Sequence, residues 1–157
     1  MSIRQGNRIY ITASGLPYEN QIPEDAVVID LDDNHLEGQR RASSERRVHL
    51  AIYRKRDDVR AVVHTHGLYA TAWSFLHKPL DLDTKELKFY IGSHIETCEL
   101  AQPGTEELAE NTVKALGDRQ AVLMANHGPV SVGKTLEEAF NRHLIVERIA
   151  HISWLLK

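Results

Sequence analysis

At 157 residues, with 42% hydrophobic and 26% charged, the chain has the proportions of one globular domain that buries a core without disulfides. A formal net charge of -3 removes the electrostatic case for nucleic acid, and no apolar run approaches the roughly 20 residues of a membrane helix. The opening MSIRQGNRIY has no apolar signal core, and the single cysteine, Cys98, excludes an internal disulfide framework and fits a cytoplasmic setting.

Residues 8–13 read as a strand, with Ile9, Ile11 and Ala13 alternating against Arg8, Tyr10 and Thr12. Ser14-Gly15-Leu16-Pro17 is a turn, residues 26–31 a buried strand, and Asp32-Asp33-Asn34-His35 a hairpin tip. Residues 38–42 are a polar loop. A helix is expected from Ser43-Ser44 onward. Ser44 is its N-cap, Val48, Ile52 and Tyr53 its apolar stripe, and Arg54-Lys55-Arg56 the cations of its last turn. Residues 60–65 form a strand and residues 68–76 a short helix stopped by Lys78-Pro79.

Residues 81–102 carry little pattern, and residues 87–92 read as either strand or turn. Thr105 caps a helix that ends at Gly117. Residues 121–126 and 129–133 are strands joined by a tight turn. Thr135 caps a last helix with Leu136, Ala139, Phe140, Leu144, Ile145 and Ile149 as its apolar stripe. No repeat or linker divides the chain, so residues 1–157 read as one layered α/β or α+β domain.

Polar residues gather where elements end. His64 and His66 lie at the end of a strand, and alternation puts residues i and i+2 on one face. His127 follows a second apolar strand and precedes Gly128. Ser43, Ser44 and Glu45 open a helix. Three imidazoles with an open position suit a borderline-soft divalent ion, and Glu45 would be a displaceable fourth ligand or a nearby acid/base. The residues alone leave a plainer reading open: surface histidines, a turn-closing His127 and a Glu45 that compensates the helix dipole. His35, His49, His77, His94, His143 and His151 read as surface or helix-face residues, and Glu96 and Glu99 as solvated carboxylates.

The stretches "IYITASGLPYE", "SSERRVHLAIYRKRDDVRAVVHTHGLYATAWS" and "PGTEELAENTVKALGDRQAVLMANHGPVSVGKTLEEAF" resemble the class II aldolase/adducin family, in its order and spacing. The resemblance implies a three-layer α/β/α domain with a central, mainly antiparallel sheet flanked by helices. It matches His64, His66 and His127 to zinc ligands and Glu45 to a carboxylate that serves as resting-state ligand and as proton acceptor. It matches Ser14, Gly15, Ser43 and Ser44 to substrate phosphate binding.

The implied reaction is zinc-dependent cleavage of a small phosphorylated ketose to dihydroxyacetone phosphate and an aldehyde, in a cytoplasmic homotetramer. An epimerase, dehydratase or decarboxylase on the same metal site, or a non-catalytic adducin-like module, are the alternatives. Glutamate rather than aspartate at Glu45 leans toward the aldolase. The resemblance also aligns Met1-Ser2 with the end of a phosphate-binding segment that follows an N-terminal helix in the family. It places Tyr90 loosely near a tyrosine that the aldolase donates across its subunit interface.

Overall fold

The computed structural model describes residues 1–157. One sheet of eight strands runs through it in the order β4-β3-β2-β1-β5-β8-β7-β6. The strands are β1 (Ser2–Gln5), β2 (Arg8–Ile11), β3 (Val27–Ile29), β4 (His35–Glu37), β5 (Ala61–His64), β6 (Glu96–Thr97), β7 (Ala121–Met124) and β8 (Gly128–Gly133). Every pairing is antiparallel except β6 with β7.

Four α-helices cover the sheet: α1 (Arg46–Lys55), α2 (Leu68–Ser74), α3 (Glu106–Leu116) and α4 (Leu136–Leu155). α1 packs on α3, and α2 on α4. Strand alternation sorts the core between these two layers. Val62, Val122 and Met124 join Val48, Ile52 and Leu108 on the α1/α3 side. Ala121 and Leu123 join Ile145, Val146 and Ile149 on the other side, where Ala61 and Val63 meet Ala139. The architecture is the three-layer α/β/α arrangement with a mainly antiparallel central sheet.

Several local expectations change. β1 had no apolar alternation to announce it; it pairs with β2 through a two-residue Gly6-Asn7 turn, with Gly6 at φ 62 supplying the left-handed conformation the turn needs. The expected tip at residues 32–35 does join two strands, with the Asp30 carboxylate accepting from the Asp32 and Asn34 amides, but β4 already begins at His35. Residues 87–91 are neither strand nor turn; they form one wide helical turn.

Helix α1 starts later than expected. Glu45, not Ser44, occupies the N-cap position, and no side chain caps it. On α4 the buried residues are Ala139, His143, Ile145, Val146, Ile149, Ala150 and Ser153, so Ala139, Ile145 and Ile149 of the expected stripe are buried, whereas Leu136, Phe140 and Leu144 lie on the exposed face. The helix has apolar residues on two sides, so the stripe could not be told from composition alone. Thr105 and Thr135 cap α3 and α4 as expected, accepting from the Leu108 and Glu138 amides. No helix is long and apolar enough to cross a membrane.

Candidate metal centre

The end of β5, the β7–β8 turn and the N-terminal ends of α1 and α2 meet at one end of the sheet's central strands. β5 stops at His64, so strand alternation no longer governs His66, which lies in the link to α2. The two rings still converge, with centroids 5.1 Å apart. His127, from the β7–β8 turn, lies 4.9 Å from His64 and 5.0 Å from His66. Each ring offers a nitrogen within 4.8 Å of the others'. His64 is buried, His127 half-buried and His66 exposed, so the triangle opens to solvent on the His66 side.

Antiparallel pairing of β5 with β8 makes this possible, because it sets the end of one strand beside the start of the other. Gly128 lets the segments close. A Cβ there would lie 2.6 Å from the Thr65 carbonyl oxygen, and its φ of 153 suits glycine.

His64 Nδ1–H donates to the Pro129 carbonyl at 2.9 Å. That bond fixes the tautomer and leaves the Nε2 lone pair facing inward. Nε2 is buried with no partner, and so is Nδ1 of His127. Orphaned buried polar atoms cost about 1–3 kcal/mol each, and a divalent ion in the triangle would satisfy His64 Nε2. Burial pushes the His64 imidazole down to about 3, against the Pro129 hydrogen bond, with the neighbouring histidines adding to the push. Burial also lowers His127, while the charge of Glu45 acts the other way. Neutral imidazole is the form that ligates, and three imidazoles suit zinc. The residues present therefore fit a metal.

Glu45 is buried, and its Oε2 accepts the Gly104 amide at 3.3 Å. It stands outside the tight histidine cluster, near enough for its charge to be felt at His127. Ser14 and Ser44 are brought together. An Ala13–Ala42 bridge joins their segments, and both line a cavity of about 480 Å³ with His35, Arg41, Arg46, Arg47 and Gly104. Gly15 and Ser43 flank this cavity rather than line it; the Ser43 hydroxyl instead accepts the Glu45 amide.

Arg46 and Arg47 occupy the first turn of α1, where the helix dipole disfavours cations. Asp33 at 2.7 Å and Glu106 at 3.0 Å hold them there. Tyr90 is elsewhere, lining a separate cavity with Glu86 and Arg142.

Sequence reading assigned His49 and His143 to surface or helix-face positions, yet both are buried. Each had a signal. His49 recurs at helical spacing with Ile52 and Tyr53, and His143 with Ala139, Val146 and Ala150. His49 accepts or donates at Ser2 Oγ, 2.7 Å away, and His143 bridges Thr65 and Ser131.

The family model for the class II aldolase and adducin N-terminal domain matches residues 1–154. An L-fuculose phosphate aldolase of Methanococcus maripaludis strain C7 is 39% identical over 158 residues, covering 99% of this chain and 84% of that protein. A 5-deoxy-D-ribulose 1-phosphate aldolase of Bacillus thuringiensis serovar kurstaki is 36% identical, covering 98% of this chain and 72% of that protein. The solved structure of an L-fuculose 1-phosphate aldolase superposes with a TM-score of 0.95 at 38% identity, covering 99% of this chain and 74% of that one. With a family match along almost its whole length and relatives of this similarity, the chain belongs to the class II aldolase and adducin N-terminal domain family.

Proposed function

We propose that this chain, a carbon–carbon lyase of the class II aldolase type, holds zinc on His64, His66 and His127 and cleaves a small phosphorylated ketose to dihydroxyacetone phosphate and an aldehyde. The observation that carries the reading is the buried, unpartnered Nε2 of His64 inside a triangle of imidazoles. A metal bound there supplies Lewis-acid polarisation of substrate oxygens as negative charge develops on them.

The protein's own groups do the rest. Ser14 and Ser44 receive the phosphate in their shared cavity at the N-terminal end of α1, with Arg41 as a cation there, and Gly15 and Ser43 shape its rim. Glu45 follows the two serines directly and its charge is felt at His127, which supports placing it within reach of both phosphate and metal. As the C3–C4 bond breaks, Glu45 takes the C4 hydroxyl proton and the aldehyde forms; a proton then returns to C3 of the three-carbon product. The buried position of Glu45 limits exchange of that proton with bulk water. Glu45 is also available as a displaceable fourth ligand when substrate is absent.

We assign residues 1–157 to one working domain in the cytoplasm, with Cys98 free and buried, and to a homotetramer that covers the exposed Leu136, Phe140 and Leu144. An epimerase, dehydratase or decarboxylase would use the same metal, but the relatives described above are named aldolases. The intact histidine triangle speaks against a non-catalytic module. A panel of ketose 1-phosphates, each tested with metal and after chelation, decides the matter. Metal-dependent release of dihydroxyacetone phosphate supports the reading; isomer exchange without aldehyde release overturns it.

A further inference from the structure

His66 presents a positional problem. The strand that orients His64 has ended, and residues 65–67 have no regular structure of their own. A ligand on such a link would wander unless something outside the link fixed it.

One face of α4 does so. Glu147 reaches from the middle of that helix to the first turn of α2, where Oε1 accepts the Tyr69 amide at 2.8 Å and Oε2 the Ala70 amide at 2.9 Å. α2 has no cap of its own, since its N-cap residue is Gly67. Glu147 thus performs the capping from a distance of 77 and 78 residues in sequence. Gly67 makes room for it, because a Cβ there would lie 2.6 Å from Glu147 Oε2. One turn earlier on α4, His143 Nε2 meets the Thr65 hydroxyl at 2.7 Å, and its Nδ1 meets Ser131 Oγ at 3.1 Å. The link is therefore held on both sides of His66, at Thr65 and at Tyr69-Ala70, by side chains four residues apart on one helix.

We propose that Glu147 is a positioning residue for His66: by accepting both amides at the start of α2 it fixes where the third imidazole of the triangle stands. This rests on the metal-site reading above. Glu147 touches neither the metal position nor substrate, and acts through the backbone that carries His66.

The test compares wild type with Glu147→Gln, which keeps the volume but can accept only one of the two amides, and with Gly67→Ala. The second leaves Glu147 intact and pushes its carboxylate off the helix end; Gly67 has no left-handed φ, so its backbone tolerates alanine. Ile29→Val in β3 serves as a stability control, buried three strands away from β5. Cobalt(II) is the probe, read by its visible absorption and by titration against a competing chelator. Both variants should bind it about 10–100-fold more weakly than wild type, as loss of an outer partner does elsewhere, with Ile29→Val unchanged.

Crystals of metal-free Gly67→Ala should show the His66 ring displaced from His64 and His127. Binding within twofold of wild type in both variants overturns the proposal, as does an equal loss in Ile29→Val. If wild type itself binds no cobalt, the metal reading fails. The His66 ring then decides the positioning claim alone, and an unmoved ring in Gly67→Ala refutes it.

Discussion

His64 Nδ1–H donates to the Pro129 carbonyl 2.9 Å away, so the second residue of β8 fixes the tautomer of a histidine on β5. The inward Nε2 is left with no partner. His64→Ala should therefore lose metal completely. Elemental analysis should fall from about one divalent ion per chain to background, and turnover should fall with it. Full metal content in the variant would move the centre away from this residue.

Gly128→Ala should damage the same region by sterics. The new methyl meets the Thr65 carbonyl oxygen, and the backbone cannot relax easily at φ 153. A loss of about 1–3 kcal/mol follows from overpacking of this kind, which for a chain of this size corresponds to a fall in Tm of about 2–12 °C. Thermal melts of the metal-free variant check it; an unchanged Tm would mean the segments are looser than their contact implies.

Glu45→Gln should separate binding from chemistry. The side chain keeps its volume, and its carbonyl can still accept the Gly104 amide. Metal content should persist while kcat drops about 10²–10⁴-fold, the usual contribution of a positioned acid/base. Retained kcat would assign proton transfer to another group.

Arg41→Ala tests the cavity it shares with Ser14 and Ser44. A hydrogen bond to a charged group contributes about 1.5–3 kcal/mol, so KM for a phosphorylated ketose should rise about 10-fold or more, with kcat changed less. Inhibition by inorganic phosphate should weaken in parallel. Equal loss on an unphosphorylated ketose would show that the arginine does not read phosphate.

Buried histidines set a pH dependence for the metal-free protein. Burial holds His143 at about 4 and His49 well below its usual 6.5. The unfolded chain therefore binds more protons than the folded one, and stability rises with pH. It is fully present above about pH 6.5 and is lost on acidification toward pH 4, by on the order of 1 kcal/mol per pH unit for each histidine. Carboxylates held low by partners, such as Asp58 at about 2 beside Arg56, act only below that window. Urea midpoints at pH 7.5 and 5.0 should differ accordingly; equal midpoints would contradict the burial effect.

The caps at Thr105 and Thr135 were legible because capping is a local rule, written within a few residues, whereas the three-layer arrangement followed from the family resemblance and not from local pattern. β1 was not, since Ser2 and Arg4 alternate with Ile3 and Gln5 and neither face is purely apolar. Only the Gly6-Asn7 pair announced it. His64, His66 and His127 were readable from types and strand ends, but the reason given for His66 was incomplete. Strand periodicity ends before it, and its place depends on α4, which no local pattern could indicate. The same holds for Arg46 and Arg47, whose position against the helix dipole is explained by Asp33 and Glu106, far away in sequence.

The adjacency of β5 and β8 has a further consequence, for the order in which the molecule is assembled. His66 and His127 are 61 positions apart, and the turn that carries His127 stands beside β5 only after β8 has paired with it. During synthesis, a nascent chain that has not yet emerged past β7 displays His64 and His66 without the third imidazole. A metal held by all three imidazoles would therefore not template the early stages of folding. It would capture the finished topology, and its stabilisation would be a linkage effect that grows with free ion concentration once the native sheet exists.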